Sequence, residues 1–253
     1  MLLNHQPIVA IVGSRNCSEY GRKYARLFAK ELSKANICII SGLALGIDTA
    51  AHDGAISEKG KTIAVLGGGL NKVYPEDNIW LFNKIISEGG CIITEHDNNE
   101  ETNIKHFPYR NRIISGIADA VLVIEAAHRS GSKITAKYAK EQGKIVYCIP
   151  NNLDAKNGVG INELIKDNAK IVVSPNQIIG DLNKEIKELN TTENLKIPQK
   201  YNKIYQILKT ATTREEIAIK LNKNIEEINS LLTIMEIEGY IKQIAGNSFV
   251  RNN

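Results

Sequence analysis

FPYRNRIISGIADAVLVIEAAHRSGSKITAKY, residues 107–138, decides the fold. It reads as loop, helix, strand, loop, helix. Phe107 and Pro108 close a polar segment, and Arg110, Asn111 and Arg112 open a short helix that runs through Gly116. ADAVLVIEA (residues 118–126) is the apolar run of a strand buried on both faces, as parallel sheets require. HRSGSKIT then leads into a second helix. If the strand is parallel to its neighbours, Gly131, Ser132, Lys133 and Thr135 lie at its carboxyl end, where open α/β sheets bind ligands. The stretch offers guanidinium, ammonium, hydroxyl and backbone N–H, all donors. That chemistry suits a phosphate or a chain of phosphates.

Outward from this stretch the pattern repeats. IVAIVG (8–13) is a buried strand followed by Ser14 and Arg15, with Ser18 and Glu19 at the start of a helix to about Lys34. Residues 36–40 form a strand, and SGLALGIDTAAH (41–52) turns from it into a helix through Ser41, Gly42 and Gly46. Residues 62–66 precede GGGLNKVYP, whose three glycines imply positive φ or close packing against another chain or a ligand. Further strands are expected at 91–94, 144–149 and 170–173, and a helix from Pro175 to about Leu189. Strands alternating with helices give a doubly wound, mostly parallel α/β domain over residues 1–185. Gly- and Ser-rich turns at four strand ends point to one phosphate- or nucleotide-lined crevice. The spacing of Gly13 and Gly21 is not G-x-G-x-x-G, so no nicotinamide cofactor, and no cofactor of any kind, is expected.

A polar linker is expected over 186–198, and a different module over 199–253. There Tyr201, Ile204, Tyr205 and Leu208 share a helix face. Thr213 caps a short helix with Glu216 at capping-box spacing, and Asn224 caps a third that Gly239 ends. YIKQIAGNSFVR reads as a hairpin turning at Gly246-Asn247. Three helices and a hairpin describe a winged helix. Its third helix carries Glu226, Glu227, Glu236 and Glu238 and few bases, which leaves duplex DNA and a protein contact as equal alternatives.

The chain has 253 residues, enough for two modest domains, and a net charge of +4 from 32 bases and 28 acids. A polyanion must therefore be held by local clustering rather than by overall charge. Four scattered cysteines without a C-x-x-C read as free thiols in a reducing compartment, with no metal site. No apolar run approaches the ~18 residues that span a bilayer. With no leader before Pro7, the expectation is a cytoplasmic protein.

In order along the chain, VGSRNCSEYG, SGLALGIDTAAH, LGGGLNKVYPEDN, FPYRNRIISGIADAVLVIEA, SGSKITAKYA and IPNN…GVGINELI resemble the DNA-processing protein A family, also called DprA or Smf. The likeness covers about residues 7–175, and the last module resembles the carboxyl-terminal domain of many members. It implies a Rossmann-like domain that binds single-stranded DNA and forms a homodimer. The implied role is to protect incoming strands and load the RecA recombinase onto them during natural transformation, with no catalytic activity. Carried over by motif, the DNA contacts would be Gly13, Ser14, Arg15, Ser41, Gly42, Gly46, Phe107, Arg110, Asn111, Arg112, Gly131, Ser132 and Thr135. Lys133 is added on its chemistry alone, because the family pattern has an aliphatic residue there. Many members also carry an extension before the first strand; its function is expected to be absent here, or the segment cut away.

Several residues carry two readings. Arg110 and Arg112, two apart on a helix, point different ways: one is assigned to DNA and the other to an acid such as Glu125 or Asp119. Phe107 either stacks on a base or anchors its loop in the core. Asp48 and His52, at i and i+4, mimic a catalytic pair, yet Asp48 reads as orienting its turn and His52 as a partly buried helix residue. His106 and His128 read as solvent-facing loop residues. Among other functions, a nucleotide-binding or nucleotide-processing Rossmann-like enzyme is suggested by GGGLNKVYP. The P-G-G-x-G-T-x-x-E motif of lysine-decarboxylase-like phosphoribohydrolases is broken, however, by Leu70-Asn71. A transcription regulator is suggested by the winged helix.

Overall fold

In the computed structural model, residues 6–192, 198–244 and 247–251 are described. The chain divides into two compact units, Met1–Asn183 and Lys184–Asn253.

The first unit is built on seven parallel strands: β1 (Ile8–Val12), β2 (Cys38–Ser41), β3 (Thr62–Val65), β4 (Cys91–Ile93), β5 (Ala120–Val123), β6 (Ile145–Cys148) and β7 (Lys170–Ile171). Their order is β4-β3-β2-β1-β5-β6-β7. β1 is central because its alternating side chains feed both layers. Val9 and Ile11 enter one core with Ala25, Phe28, Ala29 and Leu32 of α1 (Glu19–Lys34) and Ala51 and Ala55 of α2 (Ile47–Ser57). Ile8, Ala10 and Val12 enter the other with Ile114 of α4 (His106–Ile117) and Ala136 and Ala139 of α5 (Gly131–Glu141). β5 does the same with Leu122 on one side and Val121 and Val123 on the other. Period-two burial on both faces is the signature of a sheet covered by helices on each side. This is the Rossmann-like arrangement expected. α3 (Ile79–Ser87), α6 (Val159–Lys166) and α7 (Pro175–Thr192) complete the unit, and α7 carries helix through Thr192, into the segment expected to be linker.

The topology switches direction between β1 and β5, which lie side by side with Val9 opposite Ala120 and Val12 opposite Val123. A ligand in such a sheet binds outside the carboxyl ends of these two strands. α4 begins at His106, four residues before the start read from the sequence. Phe107 and Pro108 occupy its first turn, where a missing N–H costs nothing because that turn has no intrahelical acceptor.

Glu125, at the end of β5, is almost wholly buried. It accepts hydrogen bonds from the Ser18 hydroxyl and N–H and from Asn157 Nδ2. Asp119 accepts the Ile8 N–H at 2.7 Å. Both acids are thus engaged in tying β5 to the first strand and helix, and neither pairs with Arg110 or Arg112.

The second unit comprises α8 (Asn202–Ile207), α9 (Arg214–Leu221), α10 (Ile225–Ile237) and three short strands, β8 (Thr212–Thr213), β9 (Ile241–Ile244) and β10 (Ser248–Arg251). The strands form an antiparallel sheet in the order β8-β10-β9. Tyr201, Ile204, Leu208, Ile217, Ile228, Leu232, Met235, Ile241 and Phe249 fill its core. The Thr213–Glu216 capping box and the Asn224 cap both form. Of the expected hairpin turn, Gly246 lies outside the described residues.

Candidate nucleic-acid interface

At the switch point lies a crevice of about 400 Å³. The turn after β1 supplies Gly13, Ser14, Arg15 and Asn16. α4 supplies Phe107, Arg110 and Asn111, and the turn after β5 supplies Arg129, Ser130, Gly131, Ser132 and Thr135. Arg15, Arg110 and Ser132, spread over more than a hundred residues of sequence, therefore face one space.

Three guanidinium groups line it, in three different settings. Arg15 is exposed, with its guanidinium 4.5 Å from the centre of the Phe107 ring. Arg129 is exposed and has no ion pair among the described residues. Arg110 is buried and forms the floor. Its Nη1 donates to the carbonyls of Val65 and of Gly42 (2.7 Å), and its Nε has no partner. Burial pushes its pKa down to about 10, against the pull of the neighbouring Asp48. Asp48 is itself buried and raised above the usual carboxylate range by burial, with Arg110 opposing. Its Oδ2 accepts the Gly42 and Ala44 N–H groups at 3.1 and 3.3 Å. It holds the turn after β2, as its sequence position implies.

Phe107 is half-buried. The Arg15 and Arg110 guanidiniums lie 4.5 and 5.9 Å from the centre of its ring, and the Tyr74 ring lies 6.0 Å away. Phe107 is both anchor and wall, so the two sequence readings are not exclusive. On the opposite wall α5 opens with Ser130 as N-cap. The Ser130 and Ser132 hydroxyls lie 2.8 Å apart, and Asn111 Nδ2 donates to the Gly131 carbonyl at 3.2 Å. The Ser132 N–H donates to the Ser130 hydroxyl and the Lys133 N–H to the Ser130 carbonyl, which leaves the Gly131 N–H, on the crevice lining, as the helix-start donor open to an anion.

Four of the residues carried over by motif, and Lys133, do other work. Ser41 is fully buried and donates to the Ile11 carbonyl at 2.6 Å, which joins β2 to β1. Gly42 seats the Arg110 guanidinium: a Cβ there would lie 2.5 Å from Nη2. Gly46 has φ +81°, and a Cβ would lie 2.4 Å from the Ser14 and Arg15 carbonyl oxygens. These two glycines shape the crevice from behind rather than line its main volume. Arg112 points away and pairs with Glu95; Lys133 pairs with Glu163 and donates to the His128 carbonyl. Both charges are spent on their own chain.

The Gly67-Gly68-Gly69 turn also differs from expectation. None of the three has positive φ. Cβ atoms there would meet the Phe107 ring at 3.1 Å, Thr102 Oγ1 at 2.3 Å and the Asn98 carbonyl at 2.3 Å. The glycines accommodate residues 97–107 of the same chain, not a ligand. Arg129 and Asn16 were not singled out from the sequence. The signal available was their place beside a Ser-Gly or Ser-Arg pair at the ends of the two central strands.

Among the described residues no helix is long and apolar enough to cross a membrane. The sequence profile of a family described as DNA recombination-mediator protein A matches residues 1–183. Protein Smf of Synechocystis sp. is 42% identical over 176 residues, 70% of this chain and 44% of that protein. The X-ray structure of DNA processing protein A from Streptococcus pneumoniae superimposes with a TM-score of 0.66 at 41% identity, over 71% of this chain and 62% of that one. A Helicobacter pylori DNA processing protein A, solved for its single-stranded DNA binding mode, has a TM-score of 0.66 at 29% identity, over 73% and 83% of the two chains. The chain spans about half the length of the first curated relatives it matches.

Proposed function

The chain belongs to the DNA recombination-mediator protein A family, and on that premise we propose that its crevice holds the sugar–phosphate backbone of single-stranded DNA. One observation carries the reading: Arg15, Arg110 and Arg129 converge with the amino end of α5 on the switch point between β1 and β5. Donors of this kind from separate strand ends suit several phosphates in a row, and Phe107 offers a face on which a base can stack. The relative from Helicobacter pylori is described as binding single-stranded DNA, which supports the same reading.

A nucleotide-processing enzyme has less behind it. The glycine turn that suggested one is occupied by the chain's own residues 97–107, and Asp48 is committed to two backbone N–H groups. The finer role, a cytoplasmic homodimer that protects incoming strands and loads RecA onto them, rests on the family resemblance. We read the second unit as a winged helix used for protein contact. The exposed face of its third helix presents Glu226, Glu227 and Glu236, which repel phosphate.

Fluorescence anisotropy with the full chain is expected to give a single-strand affinity at least ~10-fold above that for duplex of equal length. Its logarithm should fall with log salt at about −0.7 per phosphate held. Equal affinities for the two forms would contradict the proposal.

Gly131→Ala is a sharper probe. A Cβ at Gly131 meets nothing within 4 Å, and the residue is the first of α5. Folding stability should hold or rise by a few tenths of a kcal/mol. Strand affinity should fall roughly tenfold, because the methyl crowds the approach to the Gly131 amide, the one left open at the start of the helix. A melting curve and a binding curve on one preparation read both outcomes.

A further inference from the structure

We propose that His96, Glu100 and His106 form a binding site for one divalent transition-metal cation of the zinc class, tying the loop before α4 to the first residue of that helix. The three offer two imidazole nitrogens and one carboxylate oxygen, all within 4.8 Å of one another. His96 Nδ1 lies 2.8 Å from Glu100 Oε1, and His106 Nε2 lies 3.7 Å from the same oxygen. Ligands on a tetrahedral ion with bonds of ~2.0–2.1 Å sit about 3.3 Å apart, so these spacings bracket what a metal needs.

The tautomer of His106 is what asks for a cation. Its Nδ1 lies 3.0 Å from the Gly67 carbonyl oxygen, which can only accept. Nδ1 therefore carries a hydrogen, and Nε2 faces a carboxylate oxygen, an arrangement that draws a cation between them, whether a proton on Nε2 or a metal ion. Two lone-pair donors facing each other across 3.7 Å repel unless a positive charge lies between them. A metal-bound histidine that donates its other N–H to a backbone carbonyl is the usual second layer of support around such ions.

The scaffold is already in place. Gly69 N–H donates to the Glu100 carbonyl (2.9 Å), Asn71 N–H to that of Asn98 (2.8 Å), and Thr94 Oγ1 to that of Gly68 (2.8 Å) while accepting the His96 N–H. Three glycines let the loop lie this close. The two imidazoles stack with ring centres 4.2 Å apart. Three protein ligands leave a fourth position for water, and nitrogen with carboxylate oxygen favours Zn(II), Co(II) or Ni(II) over calcium or magnesium. The site is separate from the crevice, but His106 is the residue before Phe107, so an ion here would fix the start of α4.

Cobalt(II) chloride is the probe, titrated at pH 7.5 into the full untagged chain. Visible d–d bands should rise to saturation at one equivalent, without the near-ultraviolet thiolate charge-transfer band that cysteine ligation would add. Zinc chloride should bleach them and raise the melting temperature. His96→Gln and Glu100→Gln should each weaken cobalt binding by more than ~10-fold. His106→Gln keeps an amide donor for Gly67 and should lose binding likewise. If that variant fails to fold, His96→Gln decides alone, since its ring is hydrogen-bonded only to Glu100 among the described residues. No saturable band, a thiolate band, or an unchanged titration in His96→Gln would overturn the site.

Discussion

Replacing Arg15 and Arg129 together by alanine should lower the affinity for single-stranded DNA by about 100-fold and leave the melting temperature within ~1 °C of the parent. Each guanidinium is exposed, and neither has an ion pair among the described residues, so little folding energy rides on either. Each is placed to make one charge-assisted contact, for which about tenfold is a fair magnitude. If both touch phosphates, the slope of log affinity against log salt should flatten by ~1.4, two contacts at ~0.7 each. The control is Arg112→Ala with Lys133→Ala. It removes the same formal charge from the same half of the protein, but from side chains already paired with Glu95 and Glu163. It should cost no more than ~3-fold. Equal losses from the two pairs would mean that overall charge, not the crevice, attracts the strand. No loss from Arg15 and Arg129 would move the binding surface elsewhere.

The contrast between these pairs shows where sequence reasoning stops. The sheet was legible because burial on both faces forces continuous apolar runs, and β1 and β5 carry them. The switch point was legible because a donor-rich turn follows each of those runs. Which donors reach the crevice was not. Arg110 and Arg112 are alike in sequence, yet one is buried beneath Phe107 and the other meets Glu95, a partner set by how a long loop returns. Glycine carries the same ambiguity. At Gly131 open space lies beyond the backbone, whereas at Gly42, Gly46 and Gly67 to Gly69 the chain fills that space itself. A glycine pattern records close approach without recording what approaches. His106 was misplaced for a related reason: it looks like a loop residue until α4 is seen to start there and Gly67 to accept its ring N–H, whereas His128 is the exposed loop residue its sequence suggests.

His52 gives the second large effect, on stability. The sequence suggests a partly buried helix residue, whereas the structure closes it off completely, between α2 and β3. Thr62 Oγ1 donates to the Ile39 carbonyl at 2.8 Å, so its one hydrogen is used, and at 2.7 Å it accepts from His52 Nδ1. His52 Nε2 is buried without a partner. Taking up a proton there would place a charge in the core with no counter-ion, and the nearby Arg110 adds repulsion. Burial first, and then Arg110, lower the pKa from 6.5 to about 3. A folded-state value below the unfolded one means stability that is present above pH 6.5 and lost as pH falls toward 3, because only the unfolded chain takes the proton. The slope is ~1.4 kcal/mol per pH unit, so His52 alone should remove about 2 kcal/mol between pH 7.5 and pH 5. His52→Asn keeps a donor for Thr62 and removes the titration. It should be less stable than the parent at pH 7.5 by ~1–3 kcal/mol, the cost of the smaller side chain. By pH 5 that deficit should shrink by ~2 kcal/mol, and a deficit no larger than that should close altogether. Urea unfolding at both pH values, followed through the single tryptophan, Trp80 of α3, reports on the sheet unit specifically. A deficit that stays constant from pH 7.5 to pH 5 would mean that His52 takes up its proton equally in the folded and unfolded chains, and that the core tolerates the charge.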